Sequence, residues 1–299
     1  MRRIAKTCGV AGALAAACAL AAGCGEVRGA PADASTPDGA GPDAALSWSA
    51  FVPVAINYAE QVRVPVPSGD GLTLYFLAQL SGTDLFDIYS ASRARTSDGF
   101  GVATALLNVN VTGEQARYPE VSEDGLELYY SKGDMGAIMV ATRSNTSSAF
   151  GAPAQVANGV AGNFPSISGD KLALYYVAQA ASGSINGQIM RISRATLGDA
   201  WSAPSPVTVT GAVQIYSAID ISRDELALLR APTLSPLGVN VLISRRSSKT
   251  ASFDATEIAQ TADVSGVPFS SARWSARDTE IWIGRAMNQV ERPFVSQLR

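Results

Sequence analysis

The 299-residue chain contains no histidine. That absence removes Ser-His-Asp and Cys-His catalysis, histidine general bases and every His-containing zinc or non-haem iron site. Cysteine occurs only at Cys8, Cys18 and Cys24, so the rest of the chain holds neither a disulfide nor a thiolate nucleophile. Charge is sparse as well: 23 Lys and Arg stand against 26 Asp and Glu, leaving no positive excess to neutralise phosphates, and nucleic acid is not an expected partner. Past Lys6, lysine is found only at Lys132, Lys171 and Lys249, which gives a Ser-Lys dyad no support. Long Leu/Glu/Lys-rich helical stretches are missing while glycine is plentiful, at 27 residues, and together these predict an all-β protein. No cofactor and no metal ion is expected.

What is present begins with an export signal. Arg2, Arg3 and Lys6 precede an Ala/Gly/Leu run to Gly23, the charged and apolar regions of a secretory signal peptide over residues 1–24. The run is too weakly hydrophobic and slightly too short for a membrane-spanning helix. Its end, Leu20-Ala21-Ala22-Gly23-Cys24, resembles the bacterial lipobox, which makes Cys24 the lipidation candidate, with simple cleavage near Ala22 as the alternative. The acyl chains of such a lipoprotein would suffice for stable anchoring. Residues 25–45 are Ala, Pro, Gly, Asp, Ser and Thr with almost nothing to bury, so a disordered tether is expected there and a folded domain over residues 46–299.

That domain is repetitive. The phrase Ser-x-Asp-Gly-Leu-x-Leu-Tyr starts at Ser68 and Ser122, and returns in decayed form at Ser168, Ser222 and Ser275, at intervals of 54, 46, 54 and 53 residues. In the last copy Arg277 takes the Asp place and Asp278 the Gly place. A second phrase, a six-residue β-prone segment ending in arginine, closes at Arg93, Arg143, Arg194, Arg246 and Arg299. Seven residues after each of the first four arginines stands an aromatic: Phe100, Phe150, Trp201 and Phe253. Each unit therefore reads as four strands, with the Asp-Gly turn joining the first two; Gly accepts positive φ there and the Asp carboxylate can bond nearby amides. The second strand is apolar on both faces (Leu72, Leu74 and Phe76 alternating with Thr73 and Tyr75), as expected for a sheet sandwiched between two others. Four-stranded sheets repeated in this way predict a β-propeller of five blades. The fifth unit lacks an aromatic and a fourth strand at its end, while Ser47-Trp48-Ser49-Ala50 is similar to Ala200-Trp201-Ser202-Ala203, so the N-terminal strand is expected to pair with the last blade and close the ring.

Pro119-Glu120-Val121-Ser122-Glu123-Asp124-Gly125 and Pro165-Ser166-Ile167-Ser168-Gly169-Asp170 resemble the Pro-x-Trp-Ser-Pro-Asp-Gly signature of the WD-repeat-like, TolB-type propellers of exported bacterial proteins. The resemblance covers nearly all of the chain after the tether and implies the propeller fold. No copy has the Pro before Asp, the fifth has lost the Asp, and five units stand where the TolB-type domain usually has six.

In a propeller the first strand of each blade lines the central channel. Residues two before the repeat Ser occupy equivalent places, so Val66, Glu120, Ser166, Asp220 and Arg273 should converge. Two carboxylates and a guanidinium there could hold a small polar ligand or ion, or neutralise one another around channel water. Arg63, Arg117, Tyr118 and Phe164 lie nearer a mouth, where aromatics could stack on a sugar or peptide, or serve packing. Asp70, Asp124, Asp170 and Asp224 read as turn residues rather than calcium ligands, and the repeat arginines as packed stems with exposed or paired heads. The expected function is a non-enzymatic, membrane-tethered, monomeric platform that binds a protein or glycan of the cell envelope on the periplasmic side or cell surface. The alternative is a channel-site glycoside hydrolase or lyase using Glu120 and Asp220, which needs the two acids about 5 to 9.5 Å apart.

Overall fold

The computed structural model describes residues 48–58, 60–79, 85–111, 113–178, 187–210, 218–231, 240–254, 257–261, 269–275, 278–287 and 290–298. The expectations for the signal segment, for Cys24 and for the tether fall outside these residues, as do Arg277 and Arg299. Contacts group residues Leu46–Arg299 into one unit. Its described residues form strands and no helix.

Five four-stranded antiparallel sheets follow one another along the chain. Blade 1 consists of Arg63–Pro67, Thr73–Gln79, Phe86–Ser92 and Thr104–Ala105. Blade 2 consists of Ala116–Val121, Glu127–Lys132, Ile138–Thr142 and Ala154–Gln155. Blade 3 consists of Asn163–Ile167, Ala173–Ala178, Gln188–Ser193 and Ser205–Pro206. Blade 4 consists of Ala218–Ile221, Ala227–Ala231, Asn240–Arg245 and Glu257–Thr261. Blade 5 consists of Phe269–Trp274, Glu280–Met287 and Val290–Gln297, with Val52–Pro53 from the other end of the sequence beside it, Val52 opposite Val295 and Pro53 opposite Phe294. The first strands of successive blades lie against one another, and that of blade 5 lies against that of blade 1. This is the five-blade propeller arrangement.

The burial pattern explains why these sequences pair so. Ala173 to Val177 are all buried, as are Leu74 to Ala78, because the second strand of each blade has a neighbouring sheet on either face. The core accordingly lies between blades. Leu128 and Tyr130 pack with Tyr75 and Leu77 between blades 2 and 1, and Trp282 packs with Phe76 and Phe100 between blades 5 and 1. Burying side chains of this size stabilises by about 1.5–3 kcal/mol each. Three of the innermost strands carry a bulge at a proline. Val64, Tyr118 and Phe164 have φ of 50°, 56° and 53°, each just before Pro65, Pro119 or Pro165. Each pairing register slips there. Proline cannot donate to the ladder, so the chain accommodates it with an extra residue and a turned backbone.

The repeat turn is built as its residues require. The Ser68, Ser122, Ser168 and Ser222 hydroxyls each donate to the aspartate two residues on at 2.6 Å. The same hydroxyls accept the backbone N–H five residues on at 2.8–2.9 Å. The position three residues after the repeat serine is left-handed in every blade: Gly71, Gly125, Lys171, Glu225 and Asp278 have φ between 54° and 70°. The repeat arginine then secures the turn. Arg93, Arg143, Arg194 and Arg246 donate Nε to the carbonyl of that left-handed residue at 2.7–3.1 Å. They also lie 4.3–4.5 Å from the rings of Phe100, Phe150, Trp201 and Phe253. The seven-residue spacing is thus a cation–π clasp in each of the first four repeat units.

Candidate functional site

The equivalent inner-strand residues do meet. Arg273 is fully buried, and its Nη1 lies 3.4 Å from Asp220 Oδ1 and 3.5 Å from Glu120 Oε2. Its guanidinium also donates to the backbone carbonyls of Pro165 at 3.2 Å, Ile219 at 3.4 Å and Pro119 at 3.3 Å. One side chain from blade 5 therefore ties blades 2, 3 and 4. Asp220 is further held by the Ser166 hydroxyl at 2.5 Å and by the backbone N–H of Trp274 at 2.6 Å, and Ser166 in turn accepts the Ile221 N–H at 2.9 Å. Glu120 and Asp220 are 3% exposed and Ser166 is buried. Val66, the blade 1 member, is buried too and brings no polar atom.

Electrostatics separate the two acids. Burial, and next the neighbouring Asp220, push the Glu120 carboxyl up to about 8 against the pull of Arg273. The two acids thus face a single guanidinium, and Asp220 has two further donors in the Ser166 hydroxyl and the Trp274 N–H. Breaking such a pair from one side costs about 3–5 kcal/mol, because the remaining charge stays buried.

The residues expected nearer the mouth form a second group. Tyr118 and Phe164 stand ring against ring with centroids 4.0 Å apart, and Phe164 faces the Arg273 guanidinium at 6.0 Å. Phe164 is buried and Tyr118 half-buried; burial raises the Tyr118 hydroxyl above its ordinary value. Arg117 donates Nε to Gln115 Oε1 at 2.5 Å. Phe86 escaped the sequence reading: the guanidiniums of Arg63 and Arg117 each lie 5.1 Å from its ring, and Arg63 is paired with Glu291 at 2.8 Å. Nothing in the repeat marks Phe86, because it begins a third strand rather than an inner one.

A third cluster was also missed. Glu225, at the left-handed turn position of blade 4, is 1% exposed. It accepts the Tyr175 hydroxyl at 2.8 Å and pairs with Arg191 at 3.2 Å and Lys249 at 2.8 Å, joining blades 3 and 4. A non-glycine residue at a left-handed turn position is the signal that points to it. Among the described residues no group of three or more Cys, Asp or Glu is arranged to hold a metal ion.

This architecture defines the chain as a β-propeller. No family model matches the sequence and no curated protein matches it. Among solved structures it is similar to the catalytic domain of a family 62 α-L-arabinofuranosidase from Coprinopsis cinerea, at 12% identity and a TM-score of 0.54 over 85% of this chain and 97% of that one. It is similar to a thermostable family-43 glycoside hydrolase at 10% identity and a TM-score of 0.53, over 84% and 92% of the two chains. TolB from Acinetobacter baumannii matches at 12% identity and a TM-score of 0.48, over 80% of this chain; the match spans 55% of TolB. At such identities the likeness is one of fold.

Proposed function

We propose that the protein is a non-enzymatic propeller of the bacterial cell envelope that binds a protein or glycan partner. One observation carries this reading. The two acids that chemistry would need, Glu120 and Asp220, are buried to 3% exposure against a guanidinium with no exposure at all. A glycosidase acid must reach the leaving oxygen, and its partner must reach the sugar or a water. Here both are occupied in holding blades together. The face for a partner is the one bearing Arg117 and Tyr118 with Arg63 and Phe86, the buried Phe164 backing the Tyr118 ring, since arginine and aromatic side chains dominate binding energetics. Arg2, Arg3, Lys6 and the apolar run up to Cys24 support export and lipid anchoring through Cys24, with residues 25–45 as tether. The pairing of Val52–Pro53 with blade 5, together with the parallel pairing of Ile56–Asn57 with Phe100–Val102 just before the last strand of blade 1, supports this N-terminal segment as the latch that closes the ring.

A second reading, a channel-site glycoside hydrolase or lyase, draws on the Glu120 carboxyl being raised beside a partner carboxylate, a pairing used in acid/base chemistry. Capture of a partner from envelope extract by the full chain separates the two. The platform reading expects Arg117→Ala and Tyr118→Ala to weaken capture by about tenfold, with Glu120→Gln capturing as the parent does. Loss of capture in Glu120→Gln alone would overturn it.

A further inference from the structure

The blades provide an internal comparison away from the channel. On the third strand of each, one residue stands directly opposite the repeat tyrosine or its equivalent on the second strand. In four blades that residue is bulky: Val140 opposite Tyr129, Arg191 opposite Tyr175, Ile243 opposite Leu229 and Val295 opposite Trp282. Directly opposite residues share a face of the sheet, so these side chains help to fill the space toward the next blade. Val140 joins Trp201 of blade 3 in one apolar cluster, and Arg191 pairs with Glu225 of blade 4 at 3.2 Å. In blade 1 the residue is Ser90, opposite Tyr75. Serine fills little, and between blades 1 and 2 there is a cleft of about 440 Å³ lined by Thr73, Tyr75, Ser90, Ser92, Thr104 and Phe150 among others. That is the size of a small-molecule site.

The tyrosine in this cleft also differs from its counterparts. The Tyr129 hydroxyl donates to Glu127 at 2.5 Å, and the Tyr175 hydroxyl donates to Glu225 at 2.8 Å. Around Tyr75 both places have lost the carboxylate, since Thr73 stands where Glu127 does and Gly125 where Glu225 does. Tyr75 is 2% exposed, and among the described residues its hydroxyl accepts Arg143 Nη2 at 3.0 Å and donates to no protein group. A buried hydroxyl with a proton still to give calls for an acceptor.

The acceptor that fits is uncharged. The lining contains no carboxylate and one cation, Arg143, which gives Nε to the Gly125 carbonyl at 2.7 Å and stacks on Phe150. Arg143 has a charge neighbour as well: burial works against the ionisation of Asp70, but the Ser68 hydroxyl, backbone N–H groups and the Arg143 charge hold its carboxyl below the ordinary value. A Cβ at Gly125 would meet Thr146 Cγ2 at 3.2 Å and Arg143 Nη2 at 3.3 Å, so the open space lies on the Ser90 side. The cleft therefore offers the Ser90, Ser92 and Thr104 hydroxyls, each able to donate and accept, one buried donor, and apolar surface that includes the exposed Leu107.

We propose that this cleft binds a neutral sugar residue, one of its oxygens taking the Tyr75 proton and its hydroxyls pairing with Ser90, Ser92 and Thr104. The residue is a free monosaccharide or the end of a longer saccharide. The inference rests neither on the mouth residues nor on whether the channel acids do chemistry.

The experiment titrates the full chain with D-glucose, D-galactose, N-acetyl-D-glucosamine, lactose and cellobiose, following bound sugar by saturation-transfer NMR, with D-glucuronate as the charged control. Binding of at least one neutral sugar is expected, with glucuronate no tighter than glucose. A monosaccharide that binds as tightly as the disaccharides assigns the site to free sugars; a tighter disaccharide assigns it to saccharide ends. Ser90→Val, which installs the residue that blades 2 and 5 carry, should abolish binding without lowering stability to urea. Tyr75→Phe keeps the ring and should weaken binding about three- to tenfold, as expected for one lost neutral hydrogen bond. No binding of any neutral sugar to the parent, tighter binding of glucuronate than of glucose, or binding unchanged in Ser90→Val overturns the proposal, whether or not Tyr75→Phe folds.

Discussion

Arg143 lies 4.4 Å from the ring of Phe150, seven residues further on, while its Nη2 donates at 3.0 Å to the hydroxyl of Tyr75 in the preceding blade. One side chain thus clasps its own blade and fastens it to the one before. Arg246 does the same with Phe253 and Tyr175. The recurrence of arginine and aromatic at this spacing is a consequence of packing, and a recurring motif of this kind is no evidence for catalysis.

The clasp predicts a stability effect that charge alone does not explain. Arg143→Lys keeps the charge but loses the planar group that both stacks and forks, and should lower unfolding free energy by about 1–2 kcal/mol. In a double-mutant cycle with Phe150→Leu, followed by urea unfolding, the coupling should be about 0.5–1 kcal/mol.

The turn serine should matter most where the aspartate accompanies it. Ser122 is fully buried and joins Asp124 to the Glu127 N–H, so Ser122→Ala should cost about 1–3 kcal/mol by stranding buried polar groups. Among the described residues the Ser275 hydroxyl accepts the Glu280 N–H, at 3.2 Å, with no aspartate two residues on, and Ser275→Ala should cost less. Equal losses in urea unfolding would contradict this account of the turn.

Two acids make stability fall toward alkaline pH. Burial raises Glu120 to about 8 and Asp278 to about 7. Between the ordinary carboxyl range and those values the folded state keeps protons that the unfolded state has released, so stability falls as pH rises through that window. Glu120→Gln should flatten the decline above pH 5, as followed by denaturant midpoints from pH 5 to 8.5.

Asp170 acts in the opposite sense. Burial works against its ionisation, but the Ser168 hydroxyl, the Leu172 N–H and the Lys249 ammonium outweigh burial and bring it down to about 2. Its contribution is present above the ordinary carboxyl pKa and is lost as pH falls through 2. Asp170→Asn should show a shallower acid loss of stability between pH 4 and 2.

The repeat phrases carried the blade count, the turn chemistry and the meeting of Glu120, Ser166, Asp220 and Arg273, because equivalent positions in a propeller share a radius from the axis. The degree of burial was not legible in them. A carboxylate that faces water and one that holds Arg273 occupy the same repeat position, and only the neighbouring Pro119, Pro165 and Ile219 carbonyls distinguish the two. The arginine heads were expected to be exposed or paired; their stacking on aromatics in the same blade emerges only when both ends of the spacing are in place. Phe86 and Glu225 were hidden for a different reason: Arg117 reaches Phe86 from blade 2, and Tyr175 and Arg191 reach Glu225 from blade 3.

The central claim is that Glu120 and Asp220 hold the propeller together and do not turn over substrate. The most direct test is a hydrolysis assay of the full chain on aryl glycosides and arabinoxylan oligosaccharides, run in parallel with urea unfolding of Glu120→Gln and Arg273→Met. The account predicts no product from the parent chain and a loss of about 3–5 kcal/mol in Arg273→Met. Product release by the parent that disappears in a fully folded Glu120→Gln would contradict it.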